Sequence, residues 1–170
     1  MRMRKLLLAS TVIGVCLLGI GLVSAAPSNF AGTWTLDKSK SQSPTGQAAT
    51  ADITWVITQD DKQLSYDTKV VVDGQERPPQ NYVYKLDGSE TTAEMAGRMP
   101  GKATRTAKWT NDGKVLELKQ VQKVNFQGND VTINTTEHWE LADGGKTLKV
   151  HRVSESPQGT REQTMVFAKK

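Results

Sequence analysis

The sequence predicts an all-β fold, an antiparallel up-and-down β-barrel of about eight to ten strands. Three observations carry that reading. Turn-forming pairs recur every dozen or so residues, apolar and polar residues alternate between them, and no stretch holds a sustained 3.6-residue apolar period. An open antiparallel sheet of that width would leave two long exposed edges, and closure into a barrel removes them.

The chain opens with a segment that is not part of this pattern. Arg2, Arg4 and Lys5 precede a continuous apolar run from Leu6 to Val23, which ends in Ser24-Ala25-Ala26-Pro27. A basic start, an apolar middle and a small-residue end are the parts of a secretory signal peptide. The expected cut follows Ala25, since cutting after Ala26 would leave Pro27 first. The domain division is therefore a signal peptide over 1–25 and one barrel domain over 26–170, with a periplasmic or secreted address. Retention of the run as a membrane anchor is the competing reading. Cys16 lies in mid-run, a poor place for lipid attachment.

Charge and cysteine content exclude several function classes. Removing residues 1–25 takes away three bases and no acid, so 22 basic residues fall to 19 against 18 acidic, and the net charge falls from +4 to about +1. No patch for nucleic acid or an anionic membrane is implied. The single cysteine leaves with the signal segment, so the remaining chain has neither a disulfide nor a thiolate metal site. Stability must come from a core, and a chain of this size buries roughly 70% of its surface, enough for one domain and a monomer.

The elements follow in order. Phe30-Ala31-Gly32-Thr33-Trp34-Thr35-Leu36 reads as the first strand, with a glycine that lets the chain bend ahead of a large indole. Asp37 to Thr50, rich in Ser, Lys, Gln, Pro and Gly, reads as a long loop. Turns are expected at Asp60-Asp61-Lys62, Asp73-Gly74, Asp87-Gly88, Met99-Pro100-Gly101, Asn111-Asp112-Gly113, Gly128-Asn129-Asp130, Asp143-Gly144-Gly145 and Ser156-Pro157-Gln158-Gly159. Pro78-Pro79 marks an irregular stretch at a sheet edge. Over Ser89 to Ala96 a short helical turn, capped by Ser89 and stopped by Gly97, competes with the strand that Thr91 and Thr92 favour.

Between turns, one face of each strand is expected inside: Ile53, Trp55 and Ile57; Leu64, Tyr66, Thr68, Val70 and Val72; Tyr82, Tyr84 and Leu86; Ala103, Arg105, Ala107 and Trp109; Leu116, Leu118, Gln120, Gln122, Val124 and Phe126; Val131, Ile133, Thr135, Glu137, Trp139 and Leu141; Leu148, Val150 and Arg152; Gln163, Met165 and Phe167. The midpoints of these faces are polar. An ion buried without a partner is costly, so Arg105 or Arg152 is expected to meet Glu137. Two readings compete: a satisfied network that fills a narrow barrel, or a cavity that fixes the polar end of a small ligand. In the second, the binding residues are Trp55, Tyr66, Tyr84, Arg105, Trp109, Gln120, Glu137, Trp139 and Arg152.

Catalytic and metal chemistry find little here. His138 and His151 fall on outward faces, and neither has a second histidine at metal-ligand spacing along the chain. No serine sits in a Gly-x-Ser-x-Gly elbow. No phosphate loop or dinucleotide fingerprint is present, so no cofactor is implied.

Phe30-Ala31-Gly32-Thr33-Trp34 resembles the Gly-x-Trp opening of lipocalins and their calycin relatives. The stretch also resembles the start of a group of exported bacterial proteins that begin Phe-x-Gly-Thr-Trp-x-Leu and continue with Lys-Ser, as Lys40-Ser41 do here. The turn motifs at Asp87 to Glu90, Trp109 to Lys114 and Trp139 to Leu148 extend the likeness over most of the chain. The resemblance implies a lipocalin-like barrel with a long loop between its first two strands. It also implies that Trp34 plugs the closed end under a basic side chain of the last strand. Lipocalins have arginine at that place, and this chain offers Lys169. The function implied is binding of a small, mostly apolar molecule. A filled barrel acting as an envelope structural or interaction module is the alternative, and an enzyme ranks third.

Overall fold

The computed structural model describes residues 26–42, 50–95 and 99–170. The expected signal peptide over 1–25, most of the long loop (43–49) and the short stretch 96–98 lie outside the described residues.

Among the described residues eleven strands follow one another: β1 Gly32–Leu36, β2 Asp52–Gln59, β3 Gln63–Val72, β4 Gln75–Glu76, β5 Gln80–Lys85, β6 Thr91–Met95, β7 Gly101–Thr110, β8 Val115–Phe126, β9 Asn129–Ala142, β10 Thr147–Ser156 and β11 Gly159–Lys169. The count exceeds the expected eight to ten because β3 turns at Asp73-Gly74 into the two-residue β4 before Pro78-Pro79 interrupts pairing. The helical turn considered over Ser89 to Ala96 is not formed, and Thr91–Met95 is strand β6, paired with β7. Its β-branched threonines fit a pleated surface better than a helix.

The strands form an antiparallel meander, and β1 pairs with both β2 and β11, which joins the chain's first strand to its last. The ladder is continuous everywhere except between β5 and β6. There the barrel is held by side chains rather than by paired backbone: Thr91 Oγ1 donates to the Val83 carbonyl at 2.6 Å, and Arg105 of β7 reaches over the Tyr82 ring of β5 at 4.6 Å.

Two turns show why the sequence folds as it does. Asn111-Asp112-Gly113 and Asp143-Gly144-Gly145 each form a short 3-10 turn with every residue at positive φ. Asn, Asp and Gly tolerate that region best. At Gly32, φ is +141°, and a Cβ there would meet the Lys169 side chain at 2.7 Å. That close approach lets the last strand's lysine fold across the base of the barrel.

The core lies in one half of the barrel. Phe30, Trp34, Trp139, Leu64, Leu116, Leu148, Val150 and Phe167 are fully buried there. Trp34 donates its indole N–H to the Phe30 carbonyl at 2.8 Å, and Lys169 Nζ sits 5.1 Å from the centre of its ring. Gln59 clamps the segment ahead of β1 by accepting from Phe30 N and donating to the Ser28 carbonyl, which sets Phe30 beneath the barrel as a stopper.

Candidate functional site

Above that base the interior is built in layers, because inward positions on neighbouring strands lie level with one another. The lowest layer is aromatic. Trp55 stacks on Phe167 at 4.2 Å and on Trp139 at 5.1 Å, and Tyr66 packs 5.0 Å from Trp55 and 5.2 Å from Trp139. These rings pack on one another and on the core beneath them.

The next layer is charged. Register places Arg152 of β10 directly opposite Glu137 of β9, and Arg105 of β7 opposite Gln120 of β8. The Arg152 Nε and Nη2 both donate to Glu137 Oε1 at 2.6 Å, while the Trp139 indole donates to Glu137 Oε2 at 2.7 Å. Both carboxylate oxygens are therefore engaged. Arg105 donates Nε–H to Gln120 Oε1 at 2.6 Å and is 8% exposed. Among the described residues no carboxylate forms an ion pair with it. The interior thus holds two guanidinium groups and one carboxylate.

Above the charged layer lies a cavity of about 170 Å³ lined by Tyr82, Tyr84, Leu118, Gln120, Gln122, Thr135, Glu137, Arg152 and Ser154. Burial, and next the Glu137 charge, hold the Tyr66 and Tyr84 phenols well above the ordinary tyrosine range. Burial also raises Tyr82. The same burial works against the Arg152 charge, but the Glu137 carboxylate outweighs it, and the guanidinium stays ionised. These phenols are neutral hydrogen-bonding groups at any physiological pH. The site's chemistry is that of neutral donors and acceptors arranged around an excess positive charge.

The nine residues singled out in the sequence fall into distinct places. Tyr84, Gln120, Glu137 and Arg152 line the cavity. Arg105 stands beside it, joined through Gln120 and Tyr82. Trp55, Tyr66 and Trp139 form the packed floor, and Trp109 stacks on Phe30 at 6.0 Å, below that floor. The inner face of β10 expected from the sequence ends at Arg152. Continuing the alternation by two residues reaches Ser154, whose hydroxyl pairs with Thr135 at 3.1 Å. Phe126, expected inside, is 39% exposed, because β8 there runs beyond the packed interior to the barrel's open end.

His138 and His151 do point outward. Both are about two-fifths exposed, face each other across β9 and β10, and pair with Glu117 and Glu162 respectively. Among the described residues no group of three His, Cys, Asp or Glu side chains is placed to hold a metal.

Comparison with solved structures bears on this architecture. Zebrafish ileal bile acid-binding protein, solved with cholic acid, superimposes with a TM-score of 0.51 at 14% identity, covering 84% of this chain and 100% of that one. The fold is an antiparallel β-barrel. At that identity the likeness speaks for the fold alone. No protein-family model and no curated protein matches the sequence.

Proposed function

We propose that this calycin-type barrel is an exported binding protein for a small amphipathic molecule, and that its interior receives the ligand's acidic end. The observation that carries this reading is Arg105. A guanidinium with so little exposure and no carboxylate partner is expensive to keep, since desolvating an ion costs several kcal/mol unless a counter-charge repays it. An acidic ligand group in the adjoining cavity supplies that charge, and arginine's planar fork suits a carboxylate, sulfonate or phosphate. Gln120, Gln122, Thr135, Ser154 and the neutral phenol of Tyr84 supply further hydrogen bonds. Binding of cholic acid, an amphipathic acid, by the zebrafish protein is in keeping with such a ligand. Export rests on the basic, apolar and small-residue segments at 1–25. A binding role is favoured over catalysis because both histidines face outward.

The test is a matched pair of ligands. Decanoic acid and decanol are offered to the chain from Ala26 onward, and thermal unfolding is followed. The acid is expected to raise Tm and the alcohol to do so far less. If neither shifts the transition, the interior binds nothing of this class. One feature favours a second reading, a filled barrel acting as a cell-envelope structural or interaction module. The aromatic floor is solid and Glu137 is fully engaged. The same negative result supports that reading.

A further inference from the structure

The cavity beside Arg105 is small for a complete ligand site. Its 170 Å³ falls short of the roughly 300 Å³ at which small-molecule sites usually begin. A second space of about 360 Å³ lies at the open end of the barrel, lined by Met99, Phe126, Val131, Ile133 and Pro157 together with Arg161 and three uncharged polar side chains. The two spaces share a wall. Ser154 lines both, and Gln122 of the cavity stands directly opposite Ile133 of the outer space. Met99 and Phe126 are two of the three large apolar side chains most exposed among the described residues. Exposed apolar surface gathered in one concavity marks a place where apolar material is received.

We infer that this mouth cleft is the subsite for the apolar body of the same ligand, which enters polar end first and leaves its tail among the turn tips. This inference rests on the binding function proposed above and fixes the ligand's direction. The floor of Trp55, Tyr66 and Trp139 is packed ring on ring, so no apolar chain passes below the charged layer. Hydrogen-bonding groups crowd the inner space, whereas five of the nine residues lining the outer one are apolar. A ligand with its tail inward would place hydrocarbon against Glu137 and Arg152, and its acid at the mouth would meet only the solvent-exposed Arg161, where water weakens the pairing. The occupant is therefore a molecule with a compact acidic head and an apolar body large enough to fill the cleft, a medium-chain or fused-ring acid.

The sequence supplies the probe for direction. All four tryptophans, Trp34, Trp55, Trp109 and Trp139, lie in the closed half. Bromine quenches indole fluorescence only at close range. Decanoic acid brominated beside its carboxyl group is expected to quench the bound protein strongly, and decanoic acid brominated at its terminal carbon to quench it little. The variants Phe126→Ser and Met99→Ser are expected to lower the affinity for decanoic acid relative to that for acetate by several-fold. Stronger quenching by the terminal bromine, or equal quenching by both, overturns the direction while leaving acid binding intact. Binding with no quenching at all places the acid outside the barrel and overturns this inference. Absence of acid binding removes the parent function, and the inference falls with it.

Discussion

Glu137 and Arg152 face each other across β9 and β10, joined by two contacts of 2.6 Å to one carboxylate oxygen, and the Trp139 indole holds the other oxygen. This pair commits the interior's one acid and leaves Arg105 as its surplus cation. Glu137→Ala would strand a mostly buried guanidinium and an indole N–H. Breaking a buried pair costs about 3–5 kcal/mol, and the partial exposure of Arg152 puts this case near the lower end. Tm is expected to fall by roughly 10 °C. Glu137→Ala combined with Arg152→Met is expected to recover a good part of that loss in urea unfolding, because no ion is then left unpaired. A double variant no better than the single one contradicts the pairing.

The chain's three tyrosines, Tyr66, Tyr82 and Tyr84, are all inward, so phenol titration reports the interior alone. Burial raises all three above the ordinary value near 10. Above that pH the unfolded chain releases phenolic protons that the folded chain keeps, so the unfolded state binds fewer protons and stability falls as pH rises. The contribution is fully present below pH 10 and is lost above it. Absorbance near 295 nm is expected to stay flat past pH 10 and then to climb together with loss of the fold. A normal titration of even one phenol in the intact protein would contradict the burial.

At the closed end, Trp34→Ala is expected to cost about 3–5 kcal/mol, as for other buried aromatics. Lys169→Ala is expected to cost only about 0.5–1 kcal/mol, the worth of an exposed cation over an indole. Urea unfolding of both variants checks the ratio. Comparable losses would mean that Lys169 does more than cover the ring.

The gap in the ladder has its own signature. Amides of β5 and β6 that face each other lack strand partners, whereas β8 and β9 pair over twelve positions. Hydrogen exchange is expected to be fastest at Gln80–Lys85 and Thr91–Met95 and slowest along Leu116–Leu118 and Glu137–Trp139. Uniform protection around the barrel would mean that the seam is closed by backbone pairing.

Much of this architecture is written in residue order. Alternation identifies Trp55, Tyr66, Glu137 and Trp139 as inward because a strand's side chains have a period of two, which needs no tertiary knowledge. Trp34 and Lys169 are legible as partners through the likeness of Phe30 to Trp34 to the lipocalin opening, which implies a basic side chain of the last strand over the indole. Other features depend on register across strands, which the sequence leaves open. Arg105 and Arg152 are equal candidates for Glu137 until the pairing of β9 with β10 puts Arg152 opposite it and gives Arg105 to Gln120. The seam between β5 and β6 falls in mid-chain, away from the closure of β1 on β11, and no local residue choice announces it. The mouth cleft gathers Met99, Phe126 and Pro157 from three separate turns, and only the folded barrel brings them to one place.

The most direct test is a calorimetric titration of decanoic acid into the parent protein and into Arg105→Met, with unfolding curves to show that both are folded. Methionine keeps much of the arginine's length and removes its charge. The acid is expected to bind the parent protein and to lose at least tenfold in affinity, about 1.4 kcal/mol, with the variant. Equal affinity for the two proteins would contradict the claim that the surplus charge at Arg105 awaits an acidic ligand.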